Sequence, residues 1–205
     1  MWLDSFWRLI MSDFAARQQV EQKGFAIVPQ LYTPAEIAAL LACIESAPAA
    51  SANFRRSKDV FAIRNLLGEI PSLWPLLDTP NLRELRSQLF PGGCHLTKAI
   101  YFDKPAESNW LVAWHQDLMI NVDHRADFAG YGPWTAKAGW VAVQPPVSVL
   151  ENTVTIRLHL DDCDATNGAL KVVPGSHRHG VVPAKPLLAK QQRPSAAPCQ
   201  PVALC

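Results

Sequence analysis

Apolar and polar positions recur with two different periods along this chain, and the change from one to the other divides it. Residues 12–23 read as a polar surface helix. Gly24-Phe25-Ala26-Ile27-Val28-Pro29 is a short apolar run bounded by Gly and Pro, which predicts a strand. Thr33-Pro34-Ala35-Glu36 has the form of a capping box with proline at the first helical position. It opens a helix from Ile37 to Ser46, in which positions 37, 40, 41 and 44 share one apolar face, and Pro48 ends it. A second helix is predicted over 79–90. Thr79-Pro80 starts it, Leu82, Leu85 and Leu89 line one face, and Pro91-Gly92-Gly93 closes it.

From about residue 95 the pattern turns to short strands broken by turns. His95 to Phe102 and Leu111 to Gln116 are β-like. Residues 120–146, rich in glycine, proline and aromatics (Tyr131, Trp134, Trp140), read as one long connection, and loops of that length commonly serve as lids. The expectation is therefore a lid over a substrate. Val154 to Leu160 alternates as a half-buried antiparallel strand does. Asp161 to Gly168 is turn chemistry, and Ala169 to Val173 is a strand that stops at Pro174-Gly175-Ser176-His177. No internal repeat is present. Helices followed by many short strands predict an α+β fold with an antiparallel barrel or jelly roll as its body.

The last stretch breaks the pattern. Pro183 to Cys205 contains five prolines and almost no periodicity, so an irregular tail (183–205) is expected behind a domain of residues 1–182. A jelly roll should place its final strands there, and on this reading they are missing.

Composition narrows the classes. At 205 residues with 49% hydrophobic and 18% charged side chains, one packed domain is expected and wholesale disorder is not. A net charge of +1 with interleaved signs gives no basic stripe for nucleic acid. No apolar run approaches the roughly 20 residues that span a bilayer. The opening Met1-Trp2-Leu3-Asp4 carries an early acid and no signal-peptide pattern. The five cysteines are scattered and never form CxxC, which fits incidental thiols of a cytoplasmic protein rather than a disulfide frame or zinc knuckle.

The chemistry concentrates in Asn109-Trp110-Leu111-Val112-Ala113-Trp114-His115-Gln116-Asp117. Residues i and i+2 of a strand project to one side, so His115 and Asp117 can offer an imidazole nitrogen and a carboxylate oxygen to a single ion. One further histidine completes the two-histidine, one-carboxylate set that holds iron(II) with open positions for a co-substrate and O₂. An HxD is a weak signal by itself, and the chain holds a second, His159-Leu160-Asp161. Context separates them. The first lies where a strand meets a long aromatic loop, a natural rim for a site. The second lies within an alternating strand, where a satisfied structural imidazole is the better reading.

Three blocks in order carry a resemblance: Trp114-His115-Gln116-Asp117, then Arg157-Leu158-His159-Leu160-Asp161-Asp162, then Asn167-Gly168-Ala169-Leu170-Lys171-Val172-Val173-Pro174-Gly175-Ser176-His177. With Lys98 to Lys104 upstream, they make residues 20–182 resemble the phytanoyl-CoA dioxygenase family. The resemblance implies a double-stranded β-helix and a dioxygenase that uses iron(II), 2-oxoglutarate and O₂ to hydroxylate a small organic substrate. It implies His115 and Asp117 as metal ligands. By position it offers Lys98, Asn109 and Trp140 as 2-oxoglutarate contacts, although Trp140 reads equally as core filler and Lys98 as a solvated strand residue.

The family's distal histidine, followed by an arginine suited to bidentate carboxylate binding, comes after the PGSH block. This chain has no histidine beyond His179, and after Arg178 only Arg193. Two explanations stand: a sequence truncated after about residue 183, or His177 or His179 as third ligand. Two other functions also stay open. One is a non-catalytic β-helix binding module of the same family. The other is a zinc hydrolase built on His115, Asp117 and His177. Neither substrate identity nor oligomeric state is legible.

Overall fold

The computed structural model describes residues 16–48, 51–56, 61–103, 115–137, 139–162, 170–182, 195–196 and 202–204. Helix α1, described over 16–23, ends at Gly24, whose φ of +84° breaks the helix while its N–H still reaches Val20 O at 2.9 Å. Strand β1 (Ala26–Ile27) follows, and then helix α2 (Pro34–Glu45). The capping box forms as the sequence predicts. Thr33 Oγ1 accepts from Glu36 N at 3.3 Å, and Thr33 N donates to Glu36 Oε2 at 2.7 Å. The apolar face of α2 buries Leu40 and Ile44.

Strands β2 (Phe54–Arg56) and β3 (Phe61–Arg64) precede two short helices, α3 (Leu66–Glu69) and α4 (Trp74–Leu77), with a 3-10 turn between them. Helix α5 (Pro80–Leu89) is capped by Thr79, whose hydroxyl accepts from Leu82 N at 3.2 Å, and it buries Leu82 and Leu85. Side chains from α1, α2, α3, α5, β1 and β3 meet in one core that includes Leu40, Ile44, Ile63, Leu66, Leu73 and Leu85. Tyr32 closes it from the side. Its hydroxyl donates to Leu77 O at 2.6 Å, and burial pushes its pKa up to about 12.

Four small antiparallel sheets complete the described residues. β2, β3 and β4 (Ile100–Asp103) form one, with Ile63 opposite Tyr101. β5 (Ile120–Val122), β7 (Trp140–Val143) and β6 (Trp134–Lys137) form a second. After the single-turn helix α6 (Val147–Leu150) come β8 (Ile156–Leu158) and β9 (Lys171–Val172). β10 (Ser195–Ala196) pairs with β9, and β11 (Val202–Leu204) runs between β1 and β8.

Four expectations are corrected here. Residues 120–146 are not one long connection, because they hold all three strands of the second sheet. The physical reason is the pair of β-prone runs Trp134-Thr-Ala-Lys and Trp140-Val-Ala-Val. They are joined by a turn ending at Gly139, whose φ of +81° permits the tight reversal. The strand expected over 95–102 begins only at Ile100, and the one expected over 154–160 is trimmed to Ile156–Leu158. The stretch 183–205 is not wholly irregular, since Val202–Leu204 occupies an interior strand position and satisfies backbone groups of both β1 and β8. Among the described residues, no helix is long and apolar enough to cross a membrane.

Candidate metal centre

Residues 115–119 lead into β5 without forming a strand themselves, and the next element holds them in place. Asn121 N donates to Thr97 O at 3.2 Å, while β5 pairs along its length with β7. His115 and Asp117 lie on one side of this segment. Nε2 of His115 stands 3.9 Å from Oδ1 of Asp117, and the two side chains are 57% and 63% exposed. Two ligands at about 2.1 Å from one ion and at right angles stand roughly 3 Å apart. Small rotations of two exposed side chains close that difference. An imidazole nitrogen beside a carboxylate oxygen is a donor set suited to a first-row divalent ion.

The residue between them faces the other way and is anchored at both ends of its amide. Gln116 Nε2 donates to Gly180 O at 2.8 Å, and Val182 N donates to Gln116 Oε1 at 2.8 Å. The HQD segment is thereby tied to the segment that follows the PGSH block. That block is itself docked on the end of α1. Gly175 N donates to Lys23 O at 2.7 Å, Arg178 Nη2 donates to Glu21 O at 3.2 Å, and His177 Nε2 lies 3.1 Å from the same carbonyl. Carbonyls at a helix C-terminus lack intrahelical partners and carry partial negative charge, so basic donors satisfy them well. Gly24 makes the approach possible, because a Cβ there would run into the His177 imidazole.

The sequence-predicted residues are therefore brought together only in part. His115 and Asp117 converge. His177 directs Nε2 to α1, and His179 sits exposed in the same 3-10 turn, Ser176–His179. Among the described residues, no group of three or more His, Cys, Asp or Glu side chains could hold a metal ion. Lys98 is exposed just ahead of β4, and the Thr97 carbonyl beside it binds β5 four residues past Asp117. Trp140 lies in β7, where its indole N–H donates to Asn53 Oδ1 at 3.1 Å and Lys137 stacks 5.6 Å from its ring. Asn109, Arg193 and the Trp114 end of the motif lie outside the described residues. The second HxD stands apart. His159 is half-buried just past β8, whose Ile156 and Leu158, with Leu160, pack on the core. Burial lowers its pKa, Arg157 adds to the fall and Asp161 opposes it.

Sequence reasoning passed over Gln116 and Asn121. Asn121 Oδ1, on β5, is buried without a hydrogen-bond partner, an acceptor placed shortly after the metal motif. Nothing in the local pattern marks it, because its burial depends on β7. Gln116 carried a signal that could have been used: an amide with one donor and one acceptor end, on the face opposite two ligands.

The profile of the phytanoyl-CoA dioxygenase (PhyH) family matches residues 20–203. The chain belongs to the phytanoyl-CoA dioxygenase family. The ectoine dioxygenase of Bordetella bronchiseptica is 27% identical over 169 residues, which cover 78% of this chain and 48% of that protein. The chain thus spans about half the length of the curated relative it matches. No solved structure matches it. Family membership accounts for the order of the three blocks, and the geometry adds what each does. The HQD block presents two donors, the block at 157–162 backs onto the core, and the PGSH block caps α1.

Proposed function

We propose that this member of the phytanoyl-CoA dioxygenase family contributes the proximal half of an iron(II) site, with His115 and Asp117 as ligands, in a 2-oxoglutarate-dependent hydroxylation of a small organic molecule. The observation that carries the reading is the 3.9 Å approach of His115 Nε2 to Asp117 Oδ1 on the segment that bears the family's HxD block. We take the antiparallel sheets as the elements of the family's double-stranded β-helix. Similarity to an ectoine dioxygenase supports a small-molecule substrate.

Bound iron(II) supplies the activation of O₂ against 2-oxoglutarate that hydroxylation of a C–H bond requires. The chain's own residues hold and orient. His115 would bind the ion through an imidazole nitrogen, and Asp117 would bind it as a carboxylate, which would offset part of the ion's charge. Lys98 is the cation we assign to a carboxylate of 2-oxoglutarate, because it is exposed and its neighbour Thr97 is bonded to the strand that continues from the metal motif. Trp140 and Asn109 remain assignments by resemblance alone, and the indole N–H of Trp140 is already given to Asn53.

A non-catalytic binding module is the second reading, and one observation favours it: both proximal ligands are more than half exposed, whereas catalytic metals sit in dry, shaped cavities. Anaerobic titration of the chain with iron(II), with and without 2-oxoglutarate and beside His115→Ala, separates the two. Binding that 2-oxoglutarate strengthens and His115→Ala abolishes supports the metal site. A folded chain that binds no iron(II) in either condition supports the module.

A further inference from the structure

We infer that Gln116 is the positioning residue of this metal centre, the tie that sets the HQD segment against residues 180–182 and, through them, against the end of α1. The inference rests on the metal reading above. Gln116 lies between the two ligands, and its amide reaches Gly180 O and Val182 N, both at 2.8 Å. Those two groups flank residue 181, the pattern in which one residue of a neighbouring strand bonds a parallel partner through its own N–H and C=O. A side-chain amide carries the same donor and acceptor as a peptide group, so Gln116 supplies a rung of sheet bonding where, among the described residues, no ladder joins the two segments.

The consequence for the ligands is geometric. With side chain 116 pinned on one side, the backbone cannot rotate about its own axis, and rotation is the motion that would swing His115 and Asp117 off a shared ion. The tether is fixed at its far end as well. Gly175 N bonds Lys23 O, and the Arg178 guanidinium bonds Glu21 O, so residues 175–182 form a strap from α1 to the motif. Neither contact of Gln116 involves its own ligand neighbours, which is what distinguishes positioning from ligation.

The test uses the full chain and cobalt(II), which reports on the coordination through its visible absorption. Gln116→Ala removes both bonds. Gln116→Glu keeps an acceptor for Val182 N but loses the donor to Gly180 O, and it serves as the conservative variant. Amide hydrogen exchange at Val182 in the metal-free protein reads the tie directly. Outer partners that orient metal ligands are typically worth about 10–100-fold in metal affinity. The expected result for Gln116→Ala is therefore a loss of about tenfold or more in cobalt(II) affinity. Val182 should lose protection while the amides of α2 and α5 keep theirs. Gln116→Glu should fall between the alanine variant and the parent. Val182 protection that survives Gln116→Ala overturns the inference, as does lost protection with unchanged cobalt(II) affinity. Equal loss of protection in α2 and α5 also overturns it, because the effect is then general destabilisation. A parent chain that protects Val182 yet binds no cobalt(II) brings down the metal reading and reduces Gln116 to a structural tie.

Discussion

Residues 16–85 and residues 115–182 are built on opposite terms. The first region buries Leu40, Ile63 and Leu73 to 1% exposure or less and gathers almost every buried side chain of the described residues. Among its described residues the second buries only Ile120, Ala142, Val143 and Pro145, yet it presents both metal-ligand candidates, the PGSH block and an unpartnered buried acceptor at Asn121. Packing is thus concentrated away from the candidate site. The candidate ligands lie on a segment outside any strand, held by side-chain ties such as Gln116. Substitutions in the two regions should have separable effects.

The largest effect is expected in the core. Leu40→Ala opens a cavity under α2 and should cost about 2–5 kcal/mol in urea unfolding. Iron(II) affinity per folded molecule should stay unchanged. His115→Ala should do the reverse, abolishing metal binding while shifting stability by no more than about 0.5 kcal/mol, as expected for an exposed side chain. A core variant that weakened metal binding in the still-folded fraction would show that the two regions are coupled more tightly than their packing implies.

Next in size is the alkaline limit, set chiefly by Tyr32, with a smaller part from Tyr101, whose pKa burial also raises. Burial raises its pKa from 10.0 to about 12, so the folded state holds the proton more tightly than the unfolded chain does. The sign follows. The stabilisation is fully present below pH 10 and is lost as pH rises toward 12, a fall of about 2–3 kcal/mol at 1.36 kcal/mol per unit. Chemical unfolding across that window should show the fall in the parent, and a much flatter profile in Tyr32→Phe.

Smaller still is the seam between the regions. Trp140 of β7 donates to Asn53, whose own amide donates to Glu69 Oε1 at 2.6 Å, so this chain of bonds joins the site's sheet to the core side. Trp140→Phe should cost about 0.5–1.5 kcal/mol for the lost bond. Unchanged 2-oxoglutarate affinity in that variant would mark Trp140 as structural, whereas lost affinity at unchanged stability would restore it as a co-substrate contact.

What the sequence revealed follows the same division. Capping chemistry is local, so Thr33 with Glu36, and Thr79 ahead of Leu82, mark α2 to within three residues and α5 to within one. The HxD pair is local as well: only one residue separates His115 from Asp117, which stand 3.9 Å apart although residues 115–119 form no strand. The β6–β7 hairpin is hidden in the sequence because glycine and aromatic content suggest a loop, and Trp140-Val141-Ala142-Val143 is apolar throughout, with no alternation to mark a strand. The role of PGSH as a cap on α1, the Gln116 tie across 64 residues and the insertion of β11 between β1 and β8 depend on partners far along the chain. No window of sequence contains both halves of those contacts.

The smallest expected effect lies at the acid end and belongs to the second region. His159 is half-buried beside Arg157, and burial is the first cause of its lowered pKa, with the guanidinium second. The folded state therefore resists protonation that the unfolded chain accepts from about pH 6.5 downward. Its contribution is fully present above that pH and is lost as pH falls through the lowered value. Because Asp161 partly offsets the shift, the acid fall should be shallower than the alkaline fall set by Tyr32. His159→Gln keeps a polar side chain of similar size without the titration, so it should flatten the stability profile below about pH 6.5 and leave the alkaline limb untouched. If the acid limb persisted in that variant, the sensitivity would lie elsewhere in residues 115–182. His159 would then be excluded as the group that makes this region yield first on acidification.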